Sequence, residues 1–140
     1  MTGTPNSSDD PSPRIDPSVR KLLLGIWHTF PDVALRMKRV ARQRGAVWFA
    51  TCAMMEEFSQ ATTDAMRVRD EASVRAHLHY VEAVLRTADA ITLEYIDVYY
   101  VECLMWDLDE PAKKWAWARM PSSLKALYIN FWGKLGVTTP

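Results

Sequence analysis

The sequence predicts an all-α fold, a compact bundle of about six helices behind a flexible N-terminal tail. Three observations carry that prediction. Asp16-Pro17 places an N-cap side chain before a proline at the first helical position, which is a helix-start signal. Val74, Leu78, Val81, Leu85 and Ala88 repeat at the spacing of a single helix face. The one run with strand composition, Ile91 to Val101, fails the strand period, because Asp97 would share a face with Tyr95, Tyr99 and Val101.

Taken in order, residues 1–16 hold three prolines, several Ser and Thr and almost nothing apolar. They cannot bury enough surface to offset the entropy of ordering, so 1–16 is expected to be a disordered tail and 17–137 a single helical domain. After Pro17, residues Val19, Leu22, Leu23, Ile26 and Trp27 continue at helical spacing as far as Phe30-Pro31. The next segment, Asp32 to about Arg44, turns Val33, Met37 and Val40 inward and Lys38, Arg39 and Arg42 outward, with Gly45 as a C-terminal stop. From Ala46 to about Met66 a long amphipathic helix is expected, with Val47, Trp48, Cys52, Met55, Phe58, Ala65 and Met66 inward and Ala53, Glu57, Gln60 and Asp64 outward. Asp70 caps the helix with the cleanest face, and Glu71-Arg75 and Glu82-Arg86 are i,i+4 pairs in the favourable order. Residues 112–119 form a short Trp-bearing turn or helix. Pro121 begins a last helix with Leu124, Leu127, Tyr128, Phe131 and Leu135 inward, ended by Gly133 and Gly136.

Between these lies the run from Glu94 to Glu110, with six carboxylates and no Lys or Arg. As an ideal helix it gathers Leu93, Tyr95, Ile96, Tyr99, Tyr100, Cys103, Leu104 and Trp106 over one half. The other half interleaves Glu94, Asp97 and Glu102 with Val98, Val101 and Met105, a mixed acidic and apolar surface that suits a partner better than solvent. Asp107 and Asp109 extend its charge.

Lys plus Arg and Asp plus Glu both number 17, so no global charge draws the 140-residue chain to nucleic acid or anionic membrane. The distribution is uneven. Arg14 to Arg44 holds eight basic residues against two acids, and Glu82 to Glu110 holds eight acids against Arg86. Such segregation either pairs the two regions or offers each to a different partner. Cys52 and Cys103 have no metal or redox spacing and read as small buried hydrophobes in a reducing compartment. The N-terminus lacks a signal-peptide pattern and no segment reaches about 18 uninterrupted apolar residues, so a cytoplasmic location away from membranes is expected.

The run Ile96-Asp-Val-Tyr-Tyr-Val-Glu102-x-Leu104, preceded by His77-Leu-x-Tyr-Val-Glu82 and followed by Met120-Pro-Ser-Ser-Leu-Lys-x-Leu-Tyr128, resembles an uncharacterised family of small all-helical bacterial proteins. The resemblance spans about residues 31 to 132. Tyr99 and Tyr100 depart from the small-then-Phe pair of that family. Members of such families often look like immunity proteins encoded beside secreted toxins, and the resemblance implies that role here. It carries over no functional residues.

Chemistry finds little foothold. His77 and His79 on a helix point about 200° apart and cannot share a metal. His79 and Glu82 lack the second Glu-x-x-His of a bundle di-metal site, and His28 stands alone. There is no phosphate loop, no nucleophile elbow and no zinc signature, so no catalytic residue, metal or cofactor is expected. The expected function is that of an immunity protein that occludes a cognate toxin through Glu94, Asp97, Val98, Val101, Glu102, Met105, Asp107 and Asp109. A homo-oligomer is compatible with this. Two alternatives from other classes are a nucleic-acid-binding regulator using the basic helix 36–44 and a small-molecule-binding bundle lined by Trp and Tyr.

Overall fold

The computed structural model describes residues 15–44 and 47–134, and the side chains of 47–49 and 134 lie outside that description. The expectations for residues 1–14 of the tail, Gly45, the Val47 and Trp48 side chains, Leu135 and Gly136 therefore fall beyond the described residues, whereas Ile15 packs against the core and Asp16 caps α1. The chain forms α1 (Pro17–Thr29), α2 (Pro31–Arg44), α3 (Val47–Arg67), α4 (Glu71–Leu85), α5 (Ala90–Ile96), α6 (Glu110–Arg119) and α7 (Ser122–Lys134). A π turn, Asp97–Val101, continues α5, and the described residues contain no strand.

Short side chains set most of the helix starts. Asp16 accepts from the Ser18 amide, Asp70 from Ser73, Asp89 from Thr92 and Asp109 from Ala112, each satisfying an amide that the first helical turn leaves without a partner. The face predicted for α4 is the one that packs, with Val74, Leu78 and Val81 buried and Leu85 and Ala88 half-buried. Arg75 reaches Glu71 at 2.7 Å and Arg86 reaches Glu82 at 3.6 Å, as the spacing predicts. Gly25 lets the Tyr80 side chain of α4 come against the backbone of α1, where a Cβ would collide with the phenol oxygen.

α3 is the axis of the bundle rather than an amphipathic surface helix. It packs against α1, α2, α4, α5, α6 and the π turn. Met55, Phe58 and Met66 are buried as predicted, but so are Ala50, Ala53 and Ala61 from its other side. Glu57, Gln60 and Asp64 occupy the strip left to solvent, and Arg36 of α2 crosses to Asp64 at 2.9 Å and Glu57 at 3.4 Å. Gly133, predicted as a stop, lies inside α7.

Because α3 is surrounded, its hydroxyls are buried too, and they make the π turn tenable. In that turn the Glu102 amide bonds to the Asp97 carbonyl at 3.0 Å, five residues back, and the Leu104 amide bonds to Val101 at 3.1 Å. The Tyr100 carbonyl thereby loses its α-helical donor, and the Ser59 hydroxyl donates to it at 2.7 Å. The Met105 amide, past the helix end, donates to Thr63 Oγ1 at 3.1 Å. Unpartnered, each of these buried groups would cost about 1–3 kcal/mol.

Thr62 completes the set, within hydrogen-bonding distance of the Phe58 carbonyl, His77 Nδ1 and the Tyr100 hydroxyl at 3.1, 2.9 and 2.8 Å. A hydroxyl has one proton and the carbonyl can only accept it. All three contacts are hydrogen bonds if Thr62 donates to Phe58 and accepts from Tyr100 and from an Nδ1-protonated neutral imidazole. Burial pushes the His77 pKa down to about 4, which keeps the ring neutral.

Candidate functional site

The π turn decides which residues of the acidic stretch face outward. In an α-helix Val101 would lie about 140° around the axis from Ile96. The wider turn brings it back beneath Ile96, so Ile96, Tyr100 and Val101 are all buried. Past Val101 the chain leaves the helix, and the turns from Glu102 to Asp107 bury Leu104 and Met105 and leave Trp106 exposed. Val101 and Met105, expected to contribute exposed methyl groups, are 0% and 1% exposed and belong to the core. Leu93 and Trp106, expected inward, are instead 42% and 65% exposed.

Trp106 is held out by an unusual backbone. Met105 and Asp107 on either side of it have φ of 64° and 62°, the left-handed region that residues other than glycine seldom occupy. On one side of its indole lies a groove of about 510 Å³ between α3, the π turn and α7. Glu56 and Gln60 come from α3, Val98, Tyr99, Glu102 and Cys103 from the π turn and the residues after it, and Phe131 and Trp132 from α7. A smaller hollow of about 260 Å³ also borders Trp106, lined by Leu104, Met105, Asp107, Lys113, Tyr128 and Trp132. Phe131 and Trp132 meet edge to face at 5.0 Å, and Tyr99 packs on Tyr95 at 5.0 Å.

The groove is electronegative. Burial, with Asp97 close by, raises the pKa of Glu102. Burial and then the charges of Glu56 and Glu102 raise that of the Cys103 thiol, so it is a poor nucleophile. A hydrogen bond with Cys52, reinforced by burial, pushes Tyr99 up to about 12. Among the described residues, no Lys or Arg lines the groove.

Of the residues expected to bind a partner, Val98 and Glu102 come together in the groove, and Asp107 lines the smaller hollow that Trp106 also borders. Glu94 is exposed on α5, and Asp97, half-buried, opens the π turn without lining the groove. Asp109 caps α6. Sequence reasoning missed Glu56, Gln60, Phe131 and Trp132 as groove residues because α3 and α7 are distant in the chain from the acidic stretch. Among the described residues no ion pair joins the basic and acidic regions of the chain. Arg36 turns to α3, while Lys38, Arg39 and Arg42 are exposed. No group of three or more potential metal ligands, and no helix long and apolar enough to cross a membrane, occurs among the described residues.

A family model described as a domain of unknown function, DUF7674, matches residues 25–133. The chain belongs to that family. The DUF7674 span runs from the middle of α1 to the end of α7 and contains every residue of both hollows beside Trp106. No curated protein and no solved structure matches the chain.

Proposed function

We propose that the protein acts by binding another protein through the acidic, aromatic face around Trp106, and that the partner is a toxin it neutralises. The observation that carries the binding role is the exposed indole between two left-handed residues. Each such residue other than glycine costs on the order of 1–3 kcal/mol, and a protein selected only to fold would gain nothing from holding a tryptophan in water that way. Tryptophan is among the residues that most often dominate protein interfaces, and carboxylates at the rim of such a face speed association with a basic partner. The toxin as partner is supported by the resemblance of the sequence to immunity-like helical proteins; the family's description assigns no activity.

The test is co-expression with the toxin candidate encoded in the neighbouring reading frame. The wild-type chain is expected to protect the host. Trp106→Ala is expected to lose protection while keeping its helical circular dichroism and its cellular level, since a mostly exposed side chain contributes little to folding. Full protection by Trp106→Ala would remove this face from the interface, and a wild-type chain that neither protects nor binds the candidate would remove the toxin reading.

A further inference from the structure

We propose that the groove beside Trp106 receives a guanidinium group, the head of an arginine side chain presented by the partner; this inference rests on the protein-binding reading above. The rings of Tyr99, Trp106, Phe131 and Trp132 and the carboxylates of Glu56 and Glu102 line one space of about 510 Å³. Neither carboxylate has an ion-pair partner among the described residues, although both lie close enough to the Cys103 thiol to act on it. Glu102 is partly withdrawn from water and faces the like charge of Asp97. A cation entering the groove offsets the charge of Glu56 and Glu102 and meets the negative faces of the rings.

Among cations, guanidinium fits this mixture of walls best. Its flat faces stack on indole or phenol while its edge donates to carboxylates in pairs. An ammonium offers a compact charge with no face to stack, and a quaternary ammonium offers no donor. The chain already holds one guanidinium by this chemistry. Arg119 lies 3.9 Å from the centre of the Trp115 ring and donates through Nη2 to Glu71 at 3.1 Å. The groove repeats those walls, indole and carboxylate, with no Lys or Arg among the described residues that line it.

The test follows the Trp106 indole N–H resonance, identified by its loss in Trp106→Phe, as the full chain is titrated at constant ionic strength. Four probes are used: acetyl-arginine amide, its neutral isostere acetyl-citrulline amide, Nα-acetyl-lysine amide and tetramethylammonium. A saturating shift is expected with the arginine probe, about tenfold tighter than with citrulline and weakened about tenfold in Glu56→Gln/Glu102→Gln. A shift that never saturates, or citrulline binding as well as arginine, would overturn the cation site. Lysine or tetramethylammonium binding as tightly as arginine would overturn the choice of guanidinium. If Trp106→Ala abolishes protection yet the arginine probe does not bind, this inference fails and the protein-binding reading stands. If the probe binds but protection does not depend on Trp106, assignment of the groove to the partner is overturned.

Discussion

Acidifying the solution from pH 7 to pH 5 should destabilise the protein through His77. The ring is packed among Phe30 and Phe58, with centroids 4.7 and 5.1 Å away, and its Nδ1 is committed to Thr62. Asp70 and Asp32 favour protonation, but they are outweighed by burial, to which Arg36 adds a smaller opposing charge, leaving a pKa of about 4 against the ordinary 6.5. In the unfolded chain the imidazole takes up a proton as pH falls through about 6.5, whereas in the fold it does so only near 4. Its contribution to stability is therefore complete above the upper value and is lost as pH falls toward the lower one. For the full shift the loss between pH 7 and pH 5 is about 2 kcal/mol. With the exposed edge of the ring still screened by water it becomes about 1–2 kcal/mol, or a fall in Tm of about 3–8 °C. The assay is urea denaturation at both pH values for the wild type and for His77→Asn, which keeps a donor toward Thr62 and does not titrate. The variant is less stable throughout but should lose less on acidification. Equal losses in the two proteins, or an imidazole proton resonance that titrates near 6.5, would refute the reasoning.

Three further outcomes are expected. Leu78→Ala, at a fully buried site, should cost about 2–5 kcal/mol in a denaturant titration, and Leu85→Ala, only half-buried, clearly less. Asp109→Ala removes the 2.8 Å cap on the Ala112 amide and should lower stability by about 1 kcal/mol by the same measurement; no change would show that the cap does not hold the start of α6. Asp107→Gly should leave Tm unchanged or raise it, whereas Asp107→Val should cost about 1–2 kcal/mol because a branched side chain resists the left-handed backbone.

Much of the fold is legible where a local rule acts alone. Asp16 and Asp70 cap the helices they were expected to cap, and α4 buries the face that its spacing predicts. Legibility fails where the environment of a helix departs from the one its pattern assumes. α3 alternates polar and apolar residues like a surface helix, yet it is enclosed, and its Ser59, Thr62 and Thr63 have their hydrogen-bonding partners inside the protein. The acidic stretch was projected at 100° per residue, but the chain widens into a π turn at Asp97–Val101 and then turns through Met105 and Asp107, so positions after Ile96 do not follow that projection. The charge of the candidate face could be seen in the chain, but which apolar groups accompany it could not.

The π turn also makes the length of the chain negotiable at this point. Such a turn accommodates one residue more than the α-helical turn it replaces, so a protein lacking one residue between 97 and 101 could run an ordinary helix from Ile96 to Leu104 with both ends in place. Ser59 would lose its carbonyl, and the residue missing would come from the wall formed by Val98 and Tyr99. A relative with a one-residue gap here would keep the core and reshape the groove where Val98 and Tyr99 wall it. Gap placement at 97–101 would therefore sort members of the family by whether they share this wall of the groove, even where the surrounding helices align without interruption.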